Sequence, residues 1–452
     1  MTLAPRNILN RSRPIAAVVA DAEGEIFELE GYACLGRDGG RLEPLTEGNT
    51  LALPHGSELM YLPDRHPLLF HTDTGKIETV EENPFRPGEP LHPVAAFNSP
   101  GYAVSLICAY RESPSAATLP LFSYGAVGWA DGGFRSAVVQ VDDEPRQDLR
   151  KMPREKVAAG IRRLRRRLPE NRLRAHLETC AMQYGCPAAK NFFLGRYEAP
   201  LPTATACNAR CLGCLSLQSG RDISCSQQRI AFTPHPDEIA AVALEHLARV
   251  QRPVVSFGQG CEGDPLLAVE AIEPAVRIIR KHTASGTVHM NTNGSRPEAL
   301  ARLFDAGLDS VRISMNSVRK DPYNAYFRPV GYAFEDVTAS IDLAVSRGRF
   351  VSINYLHLPG FTDTPEEYGA LQRFVRRHRI HMIQWRNLNF DPLRYLSIVS
   401  GSDGGTSPVG MAAVLSGMRK AFPELMHGYF NPPRERWPAG VGSPPPEPEN
   451  LP

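Results

Sequence analysis

The feature that most constrains this chain is a strand–helix alternation repeated between about residues 196 and 390. The strand candidates are 199–207, 253–258, 287–293, 309–316, 350–358 and 381–388. Helical periodicity fills the gaps, at 236–250, 266–282, 296–307, 332–348 and 365–378. Pro236, Pro265, Pro297 and Pro365 stand near helix starts, and Gly307 and Gly348 stand at helix ends. Strands separated by a dozen or more residues of helix pair in parallel, so six such units predict an α/β fold built as a partial (β/α)6 TIM-like barrel. In such folds chemistry gathers at the C-terminal ends of the strands.

The flanking regions read differently. Residues 1–149 are β-rich, with short apolar runs at 15–20, 25–35, 101–110 and 134–142 between Gly, Asp and Pro turns; a small sandwich or barrel is expected. Residues 150–195 form a connector. Its first part, 150–174, reads as one helix with eleven Lys or Arg against two Glu, and with Ile161, Leu164 and Leu168 as a thin apolar stripe. Such a helix is a solvated linker, a phosphate-binding face for nucleic acid, or a protein-docking surface. Residues 401–452 hold a helix at 409–422 and a Pro-rich end expected to be disordered.

Overall charge narrows the classes. Fifty Lys and Arg balance 49 Asp and Glu, for a net charge of +1, which excludes a globally basic nucleic-acid coat. No stretch approaches the ~20 apolar residues of a membrane helix. The apolar run IAAVVA near the N-terminus is too short for a signal peptide. A cytoplasmic location without membrane contact is therefore expected. The nine cysteines are odd in number, and seven lie between 180 and 261, which favours reduced thiols and metal binding over a disulfide framework.

Three of them form Cys207-Asn-Ala-Arg-Cys211-Leu-Gly-Cys214, a C-x3-C-x2-C run at the end of the first strand. Three thiolates on one short loop can bind three irons of a cubane and leave the fourth open. Structural zinc closes a four-ligand shell, often with two C-x2-C pairs, which this spacing does not supply.

This loop, placed after the first of six β/α units, resembles the radical S-adenosylmethionine (SAM) superfamily over about 196–390. The segment Gly258-Gln-Gly260-Cys261-Glu262-Gly263-Asp264-Pro265 resembles that family's Gly-Gly-Glu-Pro turn, with Asp264 in place of Glu and Glu262 as an adjacent carboxylate. Asn291-Thr-Asn293-Gly294 resembles its Thr-Asn-Gly turn. On the fourth strand Arg312, Ser314 and Asn316 alternate toward one side. Asn354, Gln384 and Arg386 on strands five and six could line the same cavity. Gly213, before the third cysteine, departs from the aromatic residue often found there.

The resemblance implies a 4Fe–4S cluster on Cys207, Cys211 and Cys214. It implies SAM held by Gly260, Glu262, Gly263, Asp264, Asn293, Arg312, Ser314 and Asn316. The implied activity is reductive cleavage of SAM to a 5′-deoxyadenosyl radical that abstracts hydrogen from a small-molecule or peptide substrate, with a flavodoxin or ferredoxin as reductant. Cys180, Cys186, Cys225 and Cys261 are candidates for an auxiliary Fe–S cluster, while Cys34 and Cys108 read as core. Other readings are an RNA-modifying radical SAM enzyme guided by the basic helix, a non-catalytic Fe–S electron carrier or sensor, and a zinc-stabilised interaction protein. No catalytic side chain is assigned.

Overall fold

The computed structural model describes residues 13–218, 220, 223–399 and 407–441; the Pro-rich end beyond 441 lies outside the described residues. Its centre is a seven-stranded sheet in strict chain order: β1 (Glu198–Pro200), β2 (Val254–Phe257), β3 (Thr287–Thr292), β4 (Ser310–Met315), β5 (Phe350–His357), β6 (Met382–Asn387) and β7 (Met426–Gly428). Every neighbouring pair is parallel. The expected partial barrel is present, with two differences. The first strand ends at Pro200: Leu201 donates once more, to the Ser256 carbonyl at 2.8 Å, and Pro202 has no N–H to continue the ladder. The seventh strand, Met-His-Gly, is too short and too polar to signal itself in sequence.

The crossover helices are α4 (Pro236–Leu247), α5 (Val269–His282), α6 (Pro297–Ala306), α8 (Phe334–Ser346) and α9 (Pro365–His378). Between β4 and α8 lies an additional helix, α7 (Lys320–Phe327), whose Pro322 sits in the first turn, where a missing N–H is tolerated. α10 (Pro392–Val399) follows β6, and α11 (Met411–Ala421) occupies the tail segment expected to be helical. The sheet's outer face carries Ala199, Val255, Val288, Val311 and Ile353, all fully buried in one large core beneath the helices.

The connector is two basic helices rather than one. α1 (Arg154–Arg167) and α2 (Arg172–Met182) break at Leu168–Pro169, because Pro169 cannot continue a helix. A short α3 (Pro187–Leu194) leads into β1. Part of the positive charge is met at the surface by carboxylates of neighbouring helices: Arg165 pairs with Glu178, Arg167 with Glu245, and Arg172 with Glu238.

The N-terminal region is a twelve-stranded antiparallel network. Ala16–Ala20 pairs with three strands, and Ile107–Cys108 bridges Ile26–Asp38 to Gly125–Ala130. The runs 101–110 and 134–142 each split. Tyr102–Val104 and Val138–Gln140 leave the network together as a two-stranded ribbon, tied where they leave by Ser105 N–H to the Ala137 carbonyl. That ribbon meets the barrel at Asn387, whose Oδ1 accepts from Val104 and whose Nδ2 donates to the Tyr102 carbonyl. A buried ion pair, Arg65 to Asp391 at 3.2 Å, fixes the same contact further along.

Candidate active site at the cysteine loop

The three cysteines sit where β1 opens into a long loop at the C-terminal end of the sheet. The loop is zipped to α7: Arg210 and Leu212 donate to the Phe327 and Tyr326 carbonyls, and Val330 donates to the Asn208 carbonyl. A second set of bonds ties it to β3. Asn293 donates through Nδ2 to Asn208 Oδ1 at 2.8 Å, and Asn208 donates to Ser295 Oγ at 3.0 Å. Burial pushes the Cys207 thiol up to about 11 and raises Cys211 well above the ordinary thiol range, so metal binding at this loop releases protons. The three sulfurs do not form a group whose ligand atoms all lie within 4.8 Å. One tetrahedral zinc would need them closer; a cubane, with each thiolate on its own iron, needs them further apart.

Gly213 has a steric reason. A Cβ there would stand 2.7 Å from the Tyr326 hydroxyl and 2.9 Å from the Asn389 carbonyl. An aromatic ring does lie against this part of the loop, but it comes from α7. Tyr326 and Asn208 carry no motif, so sequence reasoning passed over both.

The turn after β2 is built around its two carboxylates. Glu262 is buried, and its oxygens accept four backbone N–H bonds: Thr203 and Ala204 on one, at 2.7 and 2.9 Å, and Gly258 and Gln259 on the other, both at 2.7 Å. That uses the ~four lone-pair sites of a carboxylate, so Glu262 is not available to a ligand ammonium; it clamps the turn instead. Burial pushes its pKa up to about 7 against these four donors. Asp264 accepts from Leu266 N–H, Thr292 Oγ1 and Asn293 N–H, joining the turn to the end of β3. Glycine is required at 263, where a Cβ would fall 1.8 Å from the Ala206 carbonyl, and at 258, which has φ +79° and would clash with Asn291. Gly260 faces Gln227.

Strand register places Arg312, Ser314, Ser352, Asn354, Gln384 and Arg386 on the inner face, together with His289 and Asn291. Arg312 donates to Gln384 Oε1 at 2.6 Å. Arg386 donates to the Tyr429 carbonyl at 2.7 Å and lies 3.5 Å over the Tyr429 ring. Neither guanidinium forms a direct ion pair among the described residues; Glu198 acts on Arg312 only at a distance, through the Asn431–Gln384 bonds. Arg312 Nε, Arg386 Nε, Ser352 Oγ and Asn354 Oδ1 are buried without hydrogen-bond partners. His289 bridges Ser310 Oγ and Asn291 Oδ1; burial and then Arg312 push its pKa down to about 3, so it is neutral. Asn431 closes the open side, linking Gln384 to Glu198.

Asn316 does not continue the row. β4 ends at Met315, and the fully buried Asn316 amide turns to the Pro322 carbonyl and the Tyr395 hydroxyl, both at 3.0 Å, where it positions α7 and α10. The four candidate auxiliary cysteines also separate: Cys180 and Cys261 converge, Cys186 is adjacent in the fold, and Cys225 is exposed on its loop. Cys34 and Cys108 are buried in the N-terminal network.

Residues 201–371 match the family model of the radical SAM superfamily. Among curated proteins, the chain is 29% identical over 181 residues to the FeMo cofactor biosynthesis protein NifB of Klebsiella pneumoniae, covering 36% of this chain and 38% of that protein. It is 28% identical over 178 residues to the GTP 3',8-cyclase of Heliobacterium modesticaldum, covering 39% and 50% respectively. The chain therefore spans half or less of the length of these relatives. Among solved structures, methylornithine synthase aligns over 60% of this chain and 77% of its own, at 15% identity and a TM-score of 0.37.

Proposed function

We propose that the chain, whose residues 201–371 match the radical SAM family model, holds a 4Fe–4S cluster and SAM, generates a 5′-deoxyadenosyl radical and applies it to a small anionic substrate held inside the barrel. The observation that carries the anionic substrate is the pair of inner guanidiniums, Arg312 and Arg386, without a direct ion pair and with unpartnered Nε atoms. Two inner guanidiniums without a direct ion pair are better stabilised when a ligand supplies counter-charge. Carboxylate and phosphate are the groups a guanidinium pairs best.

The donor set fits the cluster: three thiols on one short loop, spaced too widely for one zinc ion. When bound, the cluster supplies the electron that splits SAM into methionine and the radical. The chain's own residues do the rest. Asn208, Asn293 and Ser295 hold the cysteine loop against the end of β3. Glu262 and Asp264 fix the glycine turn whose backbone would face SAM. Ser314 and Asn354, in register on the inner face, present polar groups toward the substrate. Tyr326 and α7 cover the loop from one side and exclude water.

A reductant is required. Arg210, Arg229, Arg328 and Arg394 line a cavity of about 340 Å³ beside Cys211 and Cys214, which suits an acidic carrier such as a flavodoxin or ferredoxin. All nine cysteines are free, which supports a reducing, cytoplasmic setting. No helix among the described residues is long and apolar enough to cross a membrane.

The test is anaerobic reconstitution, reduction and addition of SAM, with 5′-deoxyadenosine measured by mass spectrometry. Product from the wild type and none from Cys207→Ala supports the reading. Equal product from both refutes it.

A further inference from the structure

Outside the cysteine loop, the structure brings together a second set of soft donors. His176 and Cys180 lie one turn apart on the same face of α2. Cys261 reaches them from the glycine turn after β2. The three ligand atoms all lie within 4.8 Å of one another, with Cys180 Sγ 3.5 Å from His176 Nε2. Cys180 and Cys261 are buried and His176 is half-buried. Cys186, the N-cap of α3, adjoins the group, and its N–H bonds the Cys180 carbonyl at 2.9 Å.

We propose that His176, Cys180 and Cys261 bind one zinc ion. Spacing separates this from an Fe–S cluster. Around one tetrahedral ion, with Zn–S of ~2.3 Å and Zn–N of ~2.0 Å, ligand atoms stand roughly 3.5–4 Å apart, which is the scale found here. Cubane thiolates bind separate irons and stand further apart. One imidazole with two thiolates is a known zinc ligand set, the fourth position being held by a water. Exposed Cys225, the fourth cysteine expected in an auxiliary cluster, has no part in it.

The site has a place in the architecture. Its ligands come from the α2–α3 connector and from the turn that Glu262 clamps, two segments separated by 75 residues or more of chain. Zinc would staple the connector to that turn beside the first two strands of the sheet. None of its ligands belongs to the Cys207–Cys214 loop, so zinc and cluster iron can be lost separately, although Cys261 lies in the glycine turn itself.

The experiment is elemental analysis of protein expressed with zinc and iron and washed with EDTA. The wild type and the Cys207→Ala/Cys211→Ala/Cys214→Ala variant should both retain about one zinc per chain, the latter without iron. His176→Ala and Cys180→Ser should lose the zinc while keeping the iron. As these variants could misfold, metal-free wild type is also titrated with Co²⁺, which should give sulfur-to-cobalt charge transfer and tetrahedral ligand-field bands, bleached by zinc. Iron with sulfide in the triple variant, zinc retained by His176→Ala, no cobalt signature, or a Cys180–Cys261 disulfide in anaerobically purified protein would each overturn the proposal.

Discussion

Glu262→Gln separates a carboxylate that binds a ligand from one that holds the fold. Each Glu262 oxygen accepts two backbone N–H groups at 2.7–2.9 Å. Glutamine keeps one accepting oxygen and turns an NH2 toward two backbone donors. Two charge-assisted bonds are lost, at about 1.5–3 kcal/mol each, so the direct loss is about 3–6 kcal/mol. Burying a neutral amide costs less than burying a charge, which pulls the expected value toward the lower end. The measurement belongs at pH 8, above the Glu262 pKa of about 7, where the wild-type carboxylate is charged. Chemical denaturation followed by intrinsic fluorescence should show a clearly lower midpoint, and SAM affinity should fall with it because the turn relaxes. An unchanged midpoint with weakened SAM binding would refute the reasoning, since it would mean the carboxylate serves the ligand directly.

Other expectations follow from the same geometry. Gly213→Ala places a Cβ 2.7 Å from the Tyr326 hydroxyl and 2.9 Å from a backbone carbonyl, so iron content after reconstitution should drop; full occupancy would contradict this packing. Arg386→Ala should weaken substrate-dependent turnover while leaving substrate-independent SAM cleavage near wild type, read by 5′-deoxyadenosine with and without substrate. Four histidines, the buried His246, His289 and His357 and the half-buried His427, are held neutral by desolvation, with pKa values pushed down to about 4, 3, 4 and 4. Their unfolded values lie higher, so the unfolded chain binds more protons below about pH 6.5. Stability should therefore be full above that pH and fall as it drops toward 4. His289→Gln should reduce that slope by about one proton, or roughly 1.4 kcal/mol per pH unit, in denaturation series.

The parallel sheet was legible because each strand is a short apolar run and each crossover helix has Pro or Gly near an end. β7 was not, since three residues are too few to show a period, and its His427 finds its partner Trp385 only in the fold. The basic stretch 150–174 read as one solvated helix because charge pattern says nothing of the partners Glu178, Glu238 and Glu245, which arrive from other helices. At the site, the cysteine spacing and the inner row through Arg312 and Ser314 could be read locally. The role of Glu262 could not: it depends on four N–H groups converging from two loops. Asn316 left its row because strand alternation holds only while the strand does. Asn208 and Tyr326 act through long-range contacts with no motif around them. His176 escaped notice because its partner Cys261 lies 85 residues away.

The central claim is that the Cys207–Cys214 loop carries a cluster with a site open to SAM. Electron paramagnetic resonance of the anaerobically reconstituted, dithionite-reduced protein tests it directly. A reduced 4Fe–4S signal that changes shape on adding SAM, and is missing from Cys207→Ala, is the predicted result. A signal indifferent to SAM, or one that survives in Cys207→Ala, would contradict the account.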